Sequence, residues 1–532
     1  MKRLSSVISF VVLSCVALHA QDKGYLTGSF ETNSNIYVND EFLPDNPGDD
    51  FLVNDDAFGS NNYLKLDYYN GRFTAGMQLE AYLPSLVGYP KGPDGLDKVA
   101  LSNLYAEWKD EDFRITAGTF YDQFGSGLLF RTWEDRVLGL NNALMGARFA
   151  YNWEDKVAFK ALWGLPRLGM TLSDTQVRGA DLSISLSNII GLDNVILSLE
   201  GSVLSKYYGN LSDMQVEAGG KKNTLGYSGR LNFDLSGFFV KAEYVDAGQI
   251  WLDSSTLRNG NAQLVELGYN GRGLGVTLTG RRLEHMGQCI SYESGSTANL
   301  ISYVPAMCTQ YTYMLTALHP YSALVGDGTT LGTGEVGGQL DAFYNFRRGT
   351  AIGGKRGMKV HANFSTYYTL AGGFKAGNLL FRDFSFDVEK QWTKQFKMVF
   401  LYSLQKYNND HGDSESFYNS NIFVADLLYK FTPDFSTRLE LQYLLTKDDQ
   451  KDWLAALLEV SFAPHWSIWA SDMYNHGGTK LHYYNAGVSF SKGRTRLALG
   501  YGRFREGMIC SGGVCRKTPA YTGANFTVTT SF

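Results

Sequence analysis

Residues Arg72 to Tyr82, RFTAGMQLEAY, place Phe73, Ala75, Met77, Leu79 and Ala81 at alternate positions, with Arg72, Thr74, Gln78 and Glu80 between them. A two-residue period puts the two sets on opposite faces of an extended strand, one suited to an apolar medium and the other to water. The pattern recurs where Phe113, Ile115 and Ala117 alternate with Arg114, Thr116 and Gly118, and where Leu439, Leu441 and Tyr443 alternate with Arg438, Glu440 and Gln442. From about residue 24 to the end, such segments follow one another between turn residues, and no helical period competes over any long stretch. Alternation alone fits a sandwich as well as a barrel, so the connections decide.

Every second connection is tight: Asn70-Gly71, Lys109 to Asp112, Glu154 to Lys156, Ser236-Gly237, Asn270 to Gly273, Thr393 to Gln395, Thr432 to Asp434, Ala463 to His465 and Ser491 to Gly493. These are hairpin turns. The connections between them are longer, among them Asn39 to Ser60, Pro84 to Lys98, Tyr207 to Lys222, His285 to Val336 and Glu506 to Pro519. Tight turns on one side and extended loops on the other are the construction of outer-membrane barrels, and a sandwich has no reason to segregate them. Aromatic residues crowd the tight turns, including Tyr68, Trp108, Trp153, Phe238, Trp392, Phe431 and Trp466, as expected of a girdle at a headgroup boundary. The chain therefore predicts an all-β, closed antiparallel transmembrane barrel of roughly 24 strands, with 22 to 26 allowed.

A helical span needs roughly 18 consecutive apolar residues, and the only sustained apolar stretch, Val7 to Leu18, follows Lys2 and Arg3 and precedes Ala20. Residues 1–20 read as a secretory signal peptide and 21–532 as the barrel. A lipoprotein leader, with Cys15 as its cysteine, is the other reading. Only Gln21 to Lys23 then precede the first strand, so no separate plug domain is expected, unlike energised plugged transporters and pilus ushers. Without Lys2 and Arg3 the chain has 46 basic and 53 acidic residues, a balance that does not suggest nucleic acid. Cys289, Cys308, Cys510 and Cys515 remain, an even number in an exported chain, and proximity favours pairing Cys289 with Cys308 and Cys510 with Cys515.

Gly118 to Arg148, GTFYDQFGSGLLFRTWEDRVLGLNNALMGAR, differs from the rest. Glycines 125, 127 and 139 bracket Leu128 to Leu138, where Leu129, Trp133 and Val137 share a helical face and Arg131 can meet Asp135. A short helix folding into the lumen is expected, because a barrel this wide otherwise leaves a large aqueous hole. The candidate lumen residues are Tyr121, Gln123, Arg131, Glu134, Arg136, Asn141, Asn142 and Arg148. The run Tyr121, Gln123 to Gly127, Arg131, Glu134, Arg136, Leu138-Gly139, Asn141 to Ala143 and Gly146 to Arg148 resembles one carried by uncharacterised outer-membrane proteins of Bacteroidetes-type bacteria. That resemblance implies location and fold, and no activity. The ending Phe526, Val528, Thr530, Phe532 resembles the C-terminal strand signal of bacterial outer-membrane proteins, which implies insertion by the barrel-assembly machinery.

Other features read as structural. Water-facing positions carry both signs, among them Glu107, Arg114, Arg230 and Glu243, so a mixed lumen with weak ion selectivity is expected. The acidic loop Asp40 to Asp56 lacks EF-hand spacing and reads as solvated. His476, His482 and Asp472, and His411 with Asp410 and Asp413, are histidine–acid groupings that an enzyme would need at hydrogen-bond distance. No catalytic residue, cofactor or metal is expected. The expected function is a porin-like or loop-gated channel for an unidentified solute in outer-membrane lipid, with long loops outside the cell. The alternative is a non-transporting barrel whose loops, above all His285 to Val336, anchor a surface or secretion partner.

Overall fold

The computed structural model describes residues 24–43, 57–89, 96, 99–251, 256–290, 300–323 and 334–532; the leader at 1–20 and most of the acidic loop lie outside them. Twenty-four long strands, from Tyr25–Val38 to Tyr521–Ser531, pair in chain order, and the two-residue piece Thr171–Leu172 extends one of them. Every pairing is antiparallel, and the sheet closes where the first strand meets the last, from Ser29 opposite Ser531 to Val38 opposite Thr522. Closure removes the exposed edges that an open sheet of this size would present.

The alternation sorts side chains as the sequence predicts. Leu104, Ile115, Leu199, Val265, Leu278, Phe400, Leu441 and Ile468 are exposed on the outer face. Their neighbours Thr116, Thr279, Glu440 and Gln442 are buried toward the lumen. At one end nine of eleven connections have two to four residues. Ser236-Gly237 and Arg272-Gly273 have positive φ at both positions, the geometry that matches strand twist in two-residue hairpins. Trp108, Trp153, Phe238, Trp392, Phe431 and Trp466 project outward near these turns, and Phe431, Phe435 and Phe462 stack with centroids 5.0 and 5.1 Å apart.

Two connections at this end depart from the tight pattern. Residues 186–194 carry a short helix, Leu186–Ile190, capped by the Ser185 hydroxyl and ended by Gly191 at φ 73°. Residues 347–357 form an ordered knob between strands Glu335–Phe346 and Met358–Leu370.

Candidate functional site

Three segments from the long-loop end converge inside the barrel. In residues 121–143 the expected helix is absent, and two miniature hairpins replace it: Gln123–Phe124 pairs with Phe130–Arg131, and Glu134–Asp135 with Leu140–Asn141. Helical hydrogen bonding yields to partners on other segments. The Arg131 amide donates to the Ile301 carbonyl at 2.9 Å, and the Gly127 carbonyl accepts from the Tyr303 amide at 2.9 Å. Gly125, at φ 53°, lies close against the wall, since a Cβ there would lie 2.5 Å from Arg230 Cδ and 2.6 Å from Glu243 Oε1. Phe124, Leu128, Leu129 and Phe130 are fully buried against Leu204, Val245, Ile301 and Val304, which hold the segment by apolar contact.

The predicted lumen residues sit in this segment and on its wall. Tyr121 donates to Asn141 Oδ1 at 3.1 Å and accepts from Asn103 at 3.2 Å, while Gln123 donates to the Gly125 carbonyl at 2.7 Å. Arg131 does not pair with Asp135; its guanidinium lies 3.7 Å from the centre of the Tyr303 ring, and Asp135 instead accepts the Val137 and Leu138 amides. Glu134 accepts from Gln78 at 2.8 Å and from Arg136 at 3.1 Å, and Arg136 reaches Glu31 on the first strand at 2.7 Å. Asn141 donates to Glu80 at 3.2 Å. Asn142 accepts the Trp133 amide at 2.6 Å and donates to the Leu300 carbonyl. Arg148, on strand Leu144–Trp153, bridges Glu107 at 3.2 Å and Asp122 at 3.4 Å.

The second segment, 300–323, reaches toward the opposite wall. Tyr311 donates to Asp387 at 3.0 Å beside His361, whose two ring nitrogens lie 2.6 and 2.7 Å from Asp387 and Asp341. The Leu315 amide donates to Gln442 Oε1 at 2.8 Å, and Leu315 packs on Leu401, Val424 and Leu444. Tyr321 bonds Glu335, which pairs with Arg281 at 2.8 Å, both side chains being almost completely buried. The third segment is a hairpin, Gly507–Ser511 against Val514–Thr518, bridged by the Cys510–Cys515 disulfide. Its Val514 packs on Trp133, Leu138 and Leu140, its Gly512 carbonyl accepts the Val304 amide, and its Arg516 donates to the Val137 carbonyl.

Cys289 and Cys308 are not joined to each other, contrary to expectation; both are free thiols. Cys289 forms an isolated bridge with Leu300, while Cys308 packs beside Tyr321, Tyr367 and Phe381 in another cluster. Sequence proximity is overridden because Leu300, Ile301, Tyr303 and Val304, which lie between them, pack with the first and third segments. Burial, with the Asp383 carboxylate nearby, pushes the Cys308 thiol up to about 12.

The alternation marks Glu80 and Arg230 as water-facing but does not pair Glu80 with Arg167, Arg230 with Asp181 and Glu200, or His361 with two aspartates. Of the histidine–acid groupings, His482 lies 2.7 Å from Asp472 at the rim, and His476 stacks against Tyr443. Among the described residues no group of three or more histidine, cysteine or acidic side chains is placed to hold a metal ion.

Among the described residues, the inserted segments leave one sector of the inner wall uncovered. On strands Trp466–Tyr474, His482–Lys492, Tyr521–Ser531 and Tyr25–Val38, the lumen-facing Ser467, Trp469, Asn485, Asn525, Thr527 and Asn33 are half-buried. Among the described residues they bond only within the wall: Trp469 to Asn485 at 2.8 Å, Thr527 to Asn33 at 3.2 Å, Ser467 to Glu459 at 2.9 Å. The indole of Trp469 lies over Gly487 on the next strand, where a Cβ would be 2.3 Å from the ring.

The fold is similar to that of several solved barrels. The P pilus usher (PapC) translocation pore aligns over 95% of this chain and 99% of its own, at 9% identity and a TM-score of 0.48. The siderophore receptor PirA from Pseudomonas aeruginosa aligns over 97% and 81%, at 11% identity and 0.42. OccAB3 from Acinetobacter baumannii aligns over 96% and 98%, at 9% identity and 0.37. No curated protein matches the sequence. Over residues 1–532 the sequence matches the model of a family described as being of unknown function, DUF6029, and the chain belongs to that family.

Proposed function

We propose that this protein is an outer-membrane channel, its long loops facing outward, that passes a small polar solute along the uncovered sector of its lumen. The membrane reading is supported by the apolar outer face and the aromatic band beside the tight turns. The channel reading is carried by the uncovered sector, where amide, hydroxyl and indole groups line a strip of wall from Ser467 to Asn33. The filled remainder narrows the passage well below the bore of an empty barrel of this strand number. Mixed charges held in ion pairs give the lumen little net field, so the solute is selected by size and hydrogen bonding more than by charge.

Planar-bilayer recording on the purified, folded protein tests this reading. Small, weakly ion-selective conductance steps are expected. A folded barrel that passes no current and no small sugar in a liposome-swelling assay overturns it.

A further inference from the structure

We propose that the knob at residues 347–357, with the turns on either side, binds the headgroup of an anionic phospholipid at the short-turn rim. The inference rests on the reading that the barrel spans a membrane. The knob is long where its neighbours are minimal, and it is built rather than loose: the Gly349 amide donates to the Gly354 carbonyl and the Gly354 amide to the Thr350 carbonyl, both at 2.7 Å. Lys390 on the adjacent strand donates to the Ile352 and Gly353 carbonyls at 3.0 and 2.7 Å, pinning the tip from below.

Its sequence, RRGTAIGGKRG, contains Arg347, Arg348, Lys355 and Arg356 and no acid. Arg272 and Lys394 in the flanking turns add two more cations. Among the described residues none of these six has a carboxylate partner at ion-pair distance, in contrast to Lys397, which pairs with Glu389 at 2.7 Å. Farther back on the same rim, Asp110, Glu111, Asp112, Glu154 and Asp155 outnumber Arg72 and Lys156, which pair with Asp110 and Glu154 at 2.5 and 2.6 Å. An anion is therefore favoured at the knob over that part of the rim.

The apolar groups around the cations select a lipid over a soluble acidic partner. Ile352 at the tip and Trp392 beside it are each 55% exposed, and Tyr344 and Phe346 pack edge to face 4.7 Å apart at the strand end below. A phospholipid presents this combination, a phosphate for guanidinium groups and an apolar body for the side chains beneath.

Native mass spectrometry of the full chain, titrated separately with phosphatidylglycerol and phosphatidylcholine, tests the proposal. The wild type is expected to retain phosphatidylglycerol several-fold better than phosphatidylcholine. The quadruple variant R347Q/R348Q/K355Q/R356Q should lose that preference, and I352S should weaken retention of phosphatidylglycerol. Equal retention of the two lipids by the wild type, or unchanged preference in the quadruple variant, overturns the proposal. Loss in the quadruple variant with none in I352S also overturns it, because that marks a soluble anion. Barrel folding is scored by the heat-dependent shift on gel electrophoresis, and insertion separately by co-flotation with lipid vesicles. A chain that folds but never inserts refutes the membrane reading itself.

Discussion

Arg167 donates two hydrogen bonds to Glu80, from Nη1 to Oε1 at 3.0 Å and from Nη2 to Oε2 at 2.8 Å, although three strands separate theirs in the wall. The pair is almost fully buried, and Asn141 of the first inserted segment donates to the same carboxylate. Glu80 is thus the point where wall and inserted segment are tied together. Removing one partner leaves a buried charge uncompensated. Arg167→Met or Glu80→Met is therefore expected to destabilise the folded barrel by about 3–5 kcal/mol, with the double variant closer to wild type. Urea titration of the folded fraction on gels checks this; equal losses in the single and double variants would contradict it.

Channel variants should divide by sector. Deleting Gly127 to Gly139 removes Leu128, Leu129, Phe130 and Trp133 from the inner packing, and it is expected to raise conductance or antibiotic sensitivity. Asn525→Arg, in the uncovered sector, should lower conductance and shift selectivity toward anions, because it places a fixed cation in the passage. Single-channel recording of both variants is the measurement. An Asn525→Arg channel indistinguishable from wild type would show that the solute path lies elsewhere.

Acid should release the first long loop from the rim. Burial alone would raise the Asp40 carboxyl, but Arg503, at 2.7 and 2.9 Å, and the Thr522 hydroxyl outweigh it and hold the group below the usual aspartate range. A lowered folded-state value means the tie is fully present above the ordinary aspartate value of about 3.9 and is lost as pH falls through the folded value. Protection of the amides around residues 37–43, measured relative to their intrinsic exchange rates, should therefore be high at neutral pH and fall below about pH 4. Asp40→Asn should show the lower protection at all pH values.

Cysteine labelling should follow burial. Alkylation of the folded protein is expected to label the half-buried Cys289 and Cys308 slowly, because burial raises both thiols, alkylation after unfolding to label both quickly, and Cys510 and Cys515 to react only after reduction. The Cys510–Cys515 ring spans only five positions, so reduction should leave barrel stability nearly unchanged. Peptide mapping by mass spectrometry reads each site. A Cys289–Cys308 crosslink in the isolated protein would contradict the structure.

The strands, their inward and outward faces, their approximate number and most of the short turns are legible in the residues alone. Those follow from local rules: a two-residue period sorts Leu441 from Gln442, and Ser236-Gly237 suits a hairpin wherever it stands. The filling of the lumen was decided only in three dimensions. Leu128 to Leu138 has an apolar helical face, yet its backbone is drawn into two miniature hairpins, and the Arg131 amide donates to Ile301, far along the chain, a partner that no local rule contains. Cys289 and Cys308 are near in sequence and separate in packing, whereas Glu80 and Arg167, 87 positions apart, meet. Partnerships inside a barrel depend on where closure brings the walls and which loops enter together. Those distances are set by the whole sheet, and no single segment encodes them.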